Sequence, residues 1–139
     1  MNEEYRRFLE SKVVQAPQSG FTISSAEINP ALKPHQRDAV QWAVAGGRRA
    51  LFEAFGLGKS VQQLEWCRII TEHIKKPALI ICPLGVKQEF PHDAVHLLHM
   101  DAPTYVRDMD EIRSCRNHIM ITNYERVRDG NIDPTYFSA

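Results

Sequence analysis

The run Phe55-Gly56-Leu57-Gly58-Lys59-Ser60 brings together the residue types that hold a phosphate. Two glycines within three positions let successive backbone N–H groups turn toward one anion, and they are costly where that freedom is not needed. Lys59 would reach the outer phosphates of a nucleotide as a point charge, and the Ser60 hydroxyl would bind Mg²⁺. The general pattern G-x-x-x-x-G-K-[ST] has a further Gly where this chain carries Glu53. The loop is therefore a variant. A plain turn with a solvated Lys59 is the competing reading, and the elements on either side decide between them.

A phosphate loop needs a strand to deliver it and a helix whose positive N-terminal end faces the anion. The apolar run Ala50-Leu51-Phe52 predicts a strand near Arg49–Ala54, and the stretch that follows predicts a helix near Lys59–Lys75. Upstream, Pro34 suits the first turn of a helix reaching about Ala45, with Ala39, Val40, Ala43 and Val44 as its apolar stripe. Gly46-Gly47 ends it. Residues 2–11 predict a short surface helix, and Val13 to Asn29 an extended arm rich in Pro, Ser and Gly.

Downstream the pattern alternates. A purely apolar strand, Ala78–Cys82, follows Pro77, and a helix is expected over Val86–His99. A short strand near Thr104–Val106, a helical turn near Asp110–Cys115 and a strand at Ile119–Thr122 complete the series. Continuous apolar strands alternating with helices predict an α/β fold, a parallel sheet covered on both faces by right-handed crossovers. Residues 1–30 then form a helix and arm, and residues 31–139 the α/β unit.

Seventeen basic and seventeen acidic residues leave no formal net charge, so any contact with nucleic acid must come from a local patch. No stretch approaches the roughly 20 apolar residues of a membrane helix. The charged start MNEEYRRFLESK does not read as a leader, and Cys67, Cys82 and Cys115 are too scattered for a disulfide framework. The expected setting is cytoplasmic. His92, His96 and His99 have helical spacing without a completing carboxylate or thiol, and Arg48-Arg49 reads as solvated surface.

Around the loop the words are Ala50-Leu51-Phe52-Glu53-Ala54-Phe55-Gly56-Leu57-Gly58-Lys59-Ser60-Val61-Gln62. They resemble the ATP-binding motif of the SWI/SNF-like DNA-dependent ATPases of helicase superfamily two, where an acidic residue also replaces the early Gly. Phe55 for Met and Ser60 for Thr are mild departures. Gln36, within Leu32-Lys33-Pro34-His35-Gln36, falls where that family has an adenine-reading glutamine, whose amide can both donate and accept. Ile80-Ile81-Cys82-Pro83-Leu84-Gly85-Val86 and Ile119-Met120-Ile121-Thr122-Asn123-Tyr124-Glu125 are similar to two later motifs of the family.

The resemblance implies part of a RecA-like P-loop NTPase lobe, with ATP and Mg²⁺ held by Gln36 and by Phe55, Gly56, Leu57, Gly58, Lys59 and Ser60. It also implies backbone contacts to DNA from Pro83, Leu84, Gly85, Lys87, Thr122 and Asn123. Such motors carry an Asp-Glu pair at the end of a further apolar strand, the Walker B strand, which lies beside the P-loop strand. Asp110-Glu111 does not follow an apolar strand, and no other Asp-Glu pair occurs after it up to Ala139. The chain by itself is thus expected to bind nucleotide weakly without turnover, with an exposed sheet edge open to a second motor lobe, a completing chain or a second copy. A non-catalytic module that binds DNA or a motor partner is the alternative. A small P-loop kinase would explain the loop but not Gln36 or the later words.

Overall fold

A computed structural model describes residues 2–12 and 16–137, so Val13 to Gln15 of the expected arm and Ser138-Ala139 lie outside it. Among the described residues three parallel strands make the sheet: β1 (Ala78–Cys82), β2 (Thr104–Tyr105) and β3 (Ile119–Asn123), in the order β1-β3-β2. β1 and β3 pair from Ala78 opposite Ile119 to Cys82 opposite Asn123. Every residue of β3 is buried, as a central strand covered on both faces requires, and this is why it opens on the unbroken apolar run Ile119-Met120-Ile121 before the buried polar pair Thr122-Asn123. Ile119 and Ile121 join the larger core cluster and Met120 the smaller one, which follows from the two-residue period of a strand.

The helices are α1 (Glu3–Lys12), α2 (Pro34–Gly46), α3 (Lys59–Ile74), α4 (Glu89–His96), α5 (Met109–Ser114) and α6 (Tyr124–Arg128). The main core joins Val40 and Val44 of α2, Leu64 and Ile69 of α3, Phe90 of α4, and the inner face of β1 and β3. Burying a side chain such as Leu64 completely contributes about 1.5–3 kcal/mol. The smaller cluster gathers Val106, Ile112, Met120 and Ile132. α1 has no buried residue. Among the described residues no helix is long and apolar enough to cross a membrane.

The arm before α2 belongs to the same core, because Ile23, Ile28 and Leu32 pack in the main cluster. Its backbone also closes the end of α2. Ser19, Gly20 and Phe21 N–H groups donate to the Gly46, Ala45 and Val44 carbonyls at 3.1–3.2 Å, satisfying acceptors that a helix C-terminus leaves open. Cys67 and Cys82 are unpaired thiols. Burial pushes Cys67 up to about 12; burial, and then Glu89, raise Cys82 against the pull of Lys87.

Two elements differ from the sequence expectation. The strand over Arg49–Ala54 is not formed, so the sheet has three strands and β1 stands at its edge. Exposure still alternates residue by residue from Arg49 to Ala54, the period of a pleated chain, but among the described residues no other strand's backbone hydrogen-bonds to it. Arg48 and Arg49 instead face β1 across a cleft of about 550 Å³, also lined by Trp66, Cys67 and Ile70 of α3. A strand is made by its ladder, and here a gap separates the two edges. The helix over Val86–His99 is also shorter. A 3₁₀ turn, Leu84–Val86, precedes α4, whose first turn takes Pro91 without losing a bond it needs.

Candidate functional site

The loop before α3 is clamped from two sides. Gln36 of α2 donates its amide to the Leu57 carbonyl at 2.9 Å, and Gln62 of α3 donates to the same oxygen at 3.2 Å. Gln62 also donates to the Glu53 carboxylate at 2.8 Å, so Glu53, the residue that departs from the common loop pattern, braces the loop against the helix. Gln62 is fully buried, and its carbonyl oxygen has no partner among the described residues. The Gln36 carbonyl accepts from the Lys33 N–H at 2.9 Å, which caps α2. Each of its two polar groups has one hydrogen-bond partner among the described residues, which leaves a second N–H and a second lone pair uncommitted.

Gly56 and Gly58 both take positive φ, +78° and +76°, and Gly58 is the N-cap of α3. Gln62 N–H reaches back to the Gly58 carbonyl at 3.2 Å, so the amides before it have no acceptor within the helix and are free to meet an anion. Lys59 Nζ lies folded onto the loop, donating to the Glu53 carbonyl at 2.9 Å and the Ala54 carbonyl at 3.3 Å. Phe55 is almost wholly exposed beside it, its ring centroid 5.4 Å from Nζ.

A Cβ at Gly58 would stand 2.4 Å from Gln36 Nε2, whereas one at Gly56 would meet nothing within 4 Å. Gly58→Ala is therefore expected to lose about 1–3 kcal/mol of folding stability through backbone strain and displacement of Gln36. Gly56→Ala meets only the backbone part, about 1–2 kcal/mol. Urea unfolding of the two variants compares them; equal losses would deny the contact between Gln36 and the loop.

The loop opens on a cleft of about 450 Å³ at the carboxyl end of β1, where open parallel sheets bind ligands. Residues 55–60 form one wall, and Ile81, Cys82, Pro83, Glu89, Phe90 and Tyr124 the other. The Ser60 hydroxyl donates to the Asp93 carboxylate of α4. Asp93 is the residue that sequence reasoning passed over, and Gln62 stands among the loop's words there without a role. A polar residue at a position where α3 turns into the core was the signal for Gln62; Asp93 gave none, because its contact with Ser60 depends on how α4 packs.

The six residues expected at nucleic acid separate. Pro83, Leu84, Gly85 and Lys87 form the turn after β1, with Leu84 half exposed and Lys87 Nζ 4.3 Å from the Tyr105 ring centroid. Asn123 is buried at the end of β3, accepting from the Tyr105 hydroxyl at 2.7 Å and donating to Glu125. That donation comes first among the causes that hold the Glu125 carboxyl below its ordinary range. Thr122 is fully buried and its hydroxyl donates to the Val106 carbonyl at 2.8 Å, so it faces the interior.

Arg107, Arg126 and Lys87 border an open depression beyond Tyr105, and Arg107 is already paired with Glu111. The His92 and His96 rings lie tilted against each other with centroids 4.6 Å apart, and among the described residues no three His, Cys, Asp or Glu side chains gather as a metal site. No protein-family model matches the chain, and no curated protein matches it in sequence.

Proposed function

We propose that this chain binds ATP at Phe55–Ser60, as the nucleotide-holding part of a SWI/SNF-like motor acting on DNA. The observation that carries the reading is the clamped loop. Two glutamine amides fix the Leu57 carbonyl, two glycines hold left-handed geometry, and unpaired helix amides follow. A bound triphosphate would take those amides, draw Lys59 off its two carbonyls and meet the Ser60 hydroxyl. The donor set suits Mg²⁺, since Ser60 offers a hard oxygen and phosphates supply the rest of the shell. The ion would neutralise the outer phosphates. Phe55, fully exposed at the mouth, offers an apolar face beside the ligand.

Gln36, already held against the loop, offers its remaining N–H and lone pair to the adenine edge. The RecA-like assignment rests on the loop, on the parallel order of β1 and β3, and on the resemblance of the words at both strand ends. DNA contact would fall to Pro83, Leu84, Gly85, Lys87 and Asn123, with Thr122 left to the interior. The reading gives this chain binding and not turnover. Calorimetric titration of the purified chain with ATP and with GTP, each with Mg²⁺, tests it. Saturable binding at one site with preference for ATP is expected, and absence of ATP binding would overturn it.

A further inference from the structure

The Ser60 hydroxyl points its proton at a carboxylate. Ser60 Oγ donates to Asp93 Oδ2, and Asp93 is part-buried on α4, with 20 % of its side chain exposed. Its other oxygen lies 3.3 Å from His92 Nδ1. The Asp93 backbone is fixed as well, because its carbonyl accepts from the Leu97 and Leu98 N–H groups at 3.0 and 3.1 Å. The carboxylate is thus carried on the body of α4, whose C-terminal end these bonds close, within one hydrogen bond of the loop's only hydroxyl.

A hydroxyl that gives its proton to a carboxylate keeps its lone pairs for something else, and those lone pairs are what a divalent cation takes. The carboxylate also makes that oxygen more basic and adds a negative charge behind it, as outer-shell carboxylates do at metal ligands. We infer that Asp93 is the positioning residue of the cation site: it orients Ser60 Oγ toward the cleft and strengthens its hold on Mg²⁺ when nucleotide phosphates arrive. This rests on the reading of Phe55–Ser60 as a nucleotide loop. Glu89, one turn earlier on α4, lines the cleft that Ser60 also lines, so a cation held there would meet a second negative group.

Charge decides the sign of each arm. Without a cation, Asp93 repels a triphosphate; with one, it attracts the ion that the triphosphate carries. Asp93→Asn keeps the size and the hydrogen bond to Ser60 but removes the charge. The test measures ATP affinity of the full chain twice, in EDTA and with saturating Mn²⁺, and follows bound Mn²⁺ by electron paramagnetic resonance. The ratio of the two affinities is expected to fall about 10- to 100-fold in the variant, while affinity in EDTA holds or improves.

A role in packing alone would weaken both affinities together and leave their ratio intact, which would overturn the inference. Ser60→Ala is expected to lose the same ratio, and the double variant to lose no more than either single one. Additive losses would also count against coupling through Ser60. If the unaltered chain binds no ATP in either condition, the nucleotide reading falls and this inference with it. If it binds ATP with an unchanged metal ratio in Asp93→Asn, only the role of Asp93 falls.

Discussion

Lys59→Ala is expected to lower ATP affinity about 100-fold with little change in the unfolding midpoint. At about 4 Å from a phosphate oxygen, with an effective dielectric near 20, a unit positive charge is worth about 4 kcal/mol. Binding first requires Nζ to leave the Glu53 and Ala54 carbonyls, two hydrogen bonds worth about 1 kcal/mol each at most once water replaces them. The difference, about 2–3 kcal/mol, corresponds to roughly a 100-fold change in dissociation constant. Folding barely senses the change, because Lys59 is only part-buried and both carbonyls can turn to water.

Lys59→Arg separates charge from shape. A guanidinium keeps the charge but is wider and planar, so a loop built to admit a compact ammonium should recover only part of the loss. Equal affinities for Lys59→Ala and the unaltered chain, measured by the same titration, would refute the placement of phosphate in this loop.

Much of the scaffold was legible because local pattern and tertiary demand agree. Pro34 and Gly47 bracket α2, and Gly58 and Lys75 bracket α3 with left-handed caps at both ends. β1 and β3 announce themselves as apolar runs because both send side chains into the main core, β3 at the centre of the sheet and β1 at its edge. What was not legible is what depends on a neighbour. Arg49–Ala54 has the composition and the alternating exposure of a strand, yet a strand exists only when another backbone lies beside it. Val86–His99 carries enough apolar residues for one helix, but the turn after Pro83 uses its first part.

The site divides along the same line. Gly56, Gly58, Lys59 and Ser60 could be read directly, since their types specify backbone geometry and charge. The meaning of Glu53 could not. It answers Gln62, nine positions on, across a turn whose shape had to be known first. Asp93 is further still, 33 residues from Ser60 and on another helix. Thr122 shows the converse: a hydroxyl at a strand end reads as a solvent-facing donor until the Val106 carbonyl is seen above it.

Arg68→Ala is expected to destabilise the fold by about 3–5 kcal/mol, because it strands a charge in the core. Glu65 sits in the middle of α3 with its side chain wholly buried. It accepts from Arg68 Nε at 2.9 Å and from the Asn29 N–H of the arm at 2.7 Å. Arg68 also donates to the Glu27 carbonyl at 2.7 Å and to Glu72 at 2.7 Å, so a single guanidinium ties the arm to the helix. The Glu65 carboxylate is the main reason its proton is held more tightly than in a free guanidinium, against the opposing effect of burial. Removing Arg68 leaves one backbone donor for a buried carboxylate. Set against the 5–15 kcal/mol that a domain of this kind commands, the loss is a large share.

The companion variant Arg68→Met with Glu65→Gln removes both charges and keeps volume, and it should recover most of the stability, since the cost lies in the unpaired ion rather than in the missing pair. The consequence reaches the loop. α3 bears Ser60 in its first turn and Glu65 in its second, so loosening the arm from the helix should also weaken ATP binding in Arg68→Ala at temperatures where the chain is still folded. Thermal unfolding reads the first effect and titration below the midpoint the second. An Arg68→Ala protein that melts within a degree or two of the parent would show that water or a shifted Glu65 rescues the charge, and would dissolve the link between arm and loop.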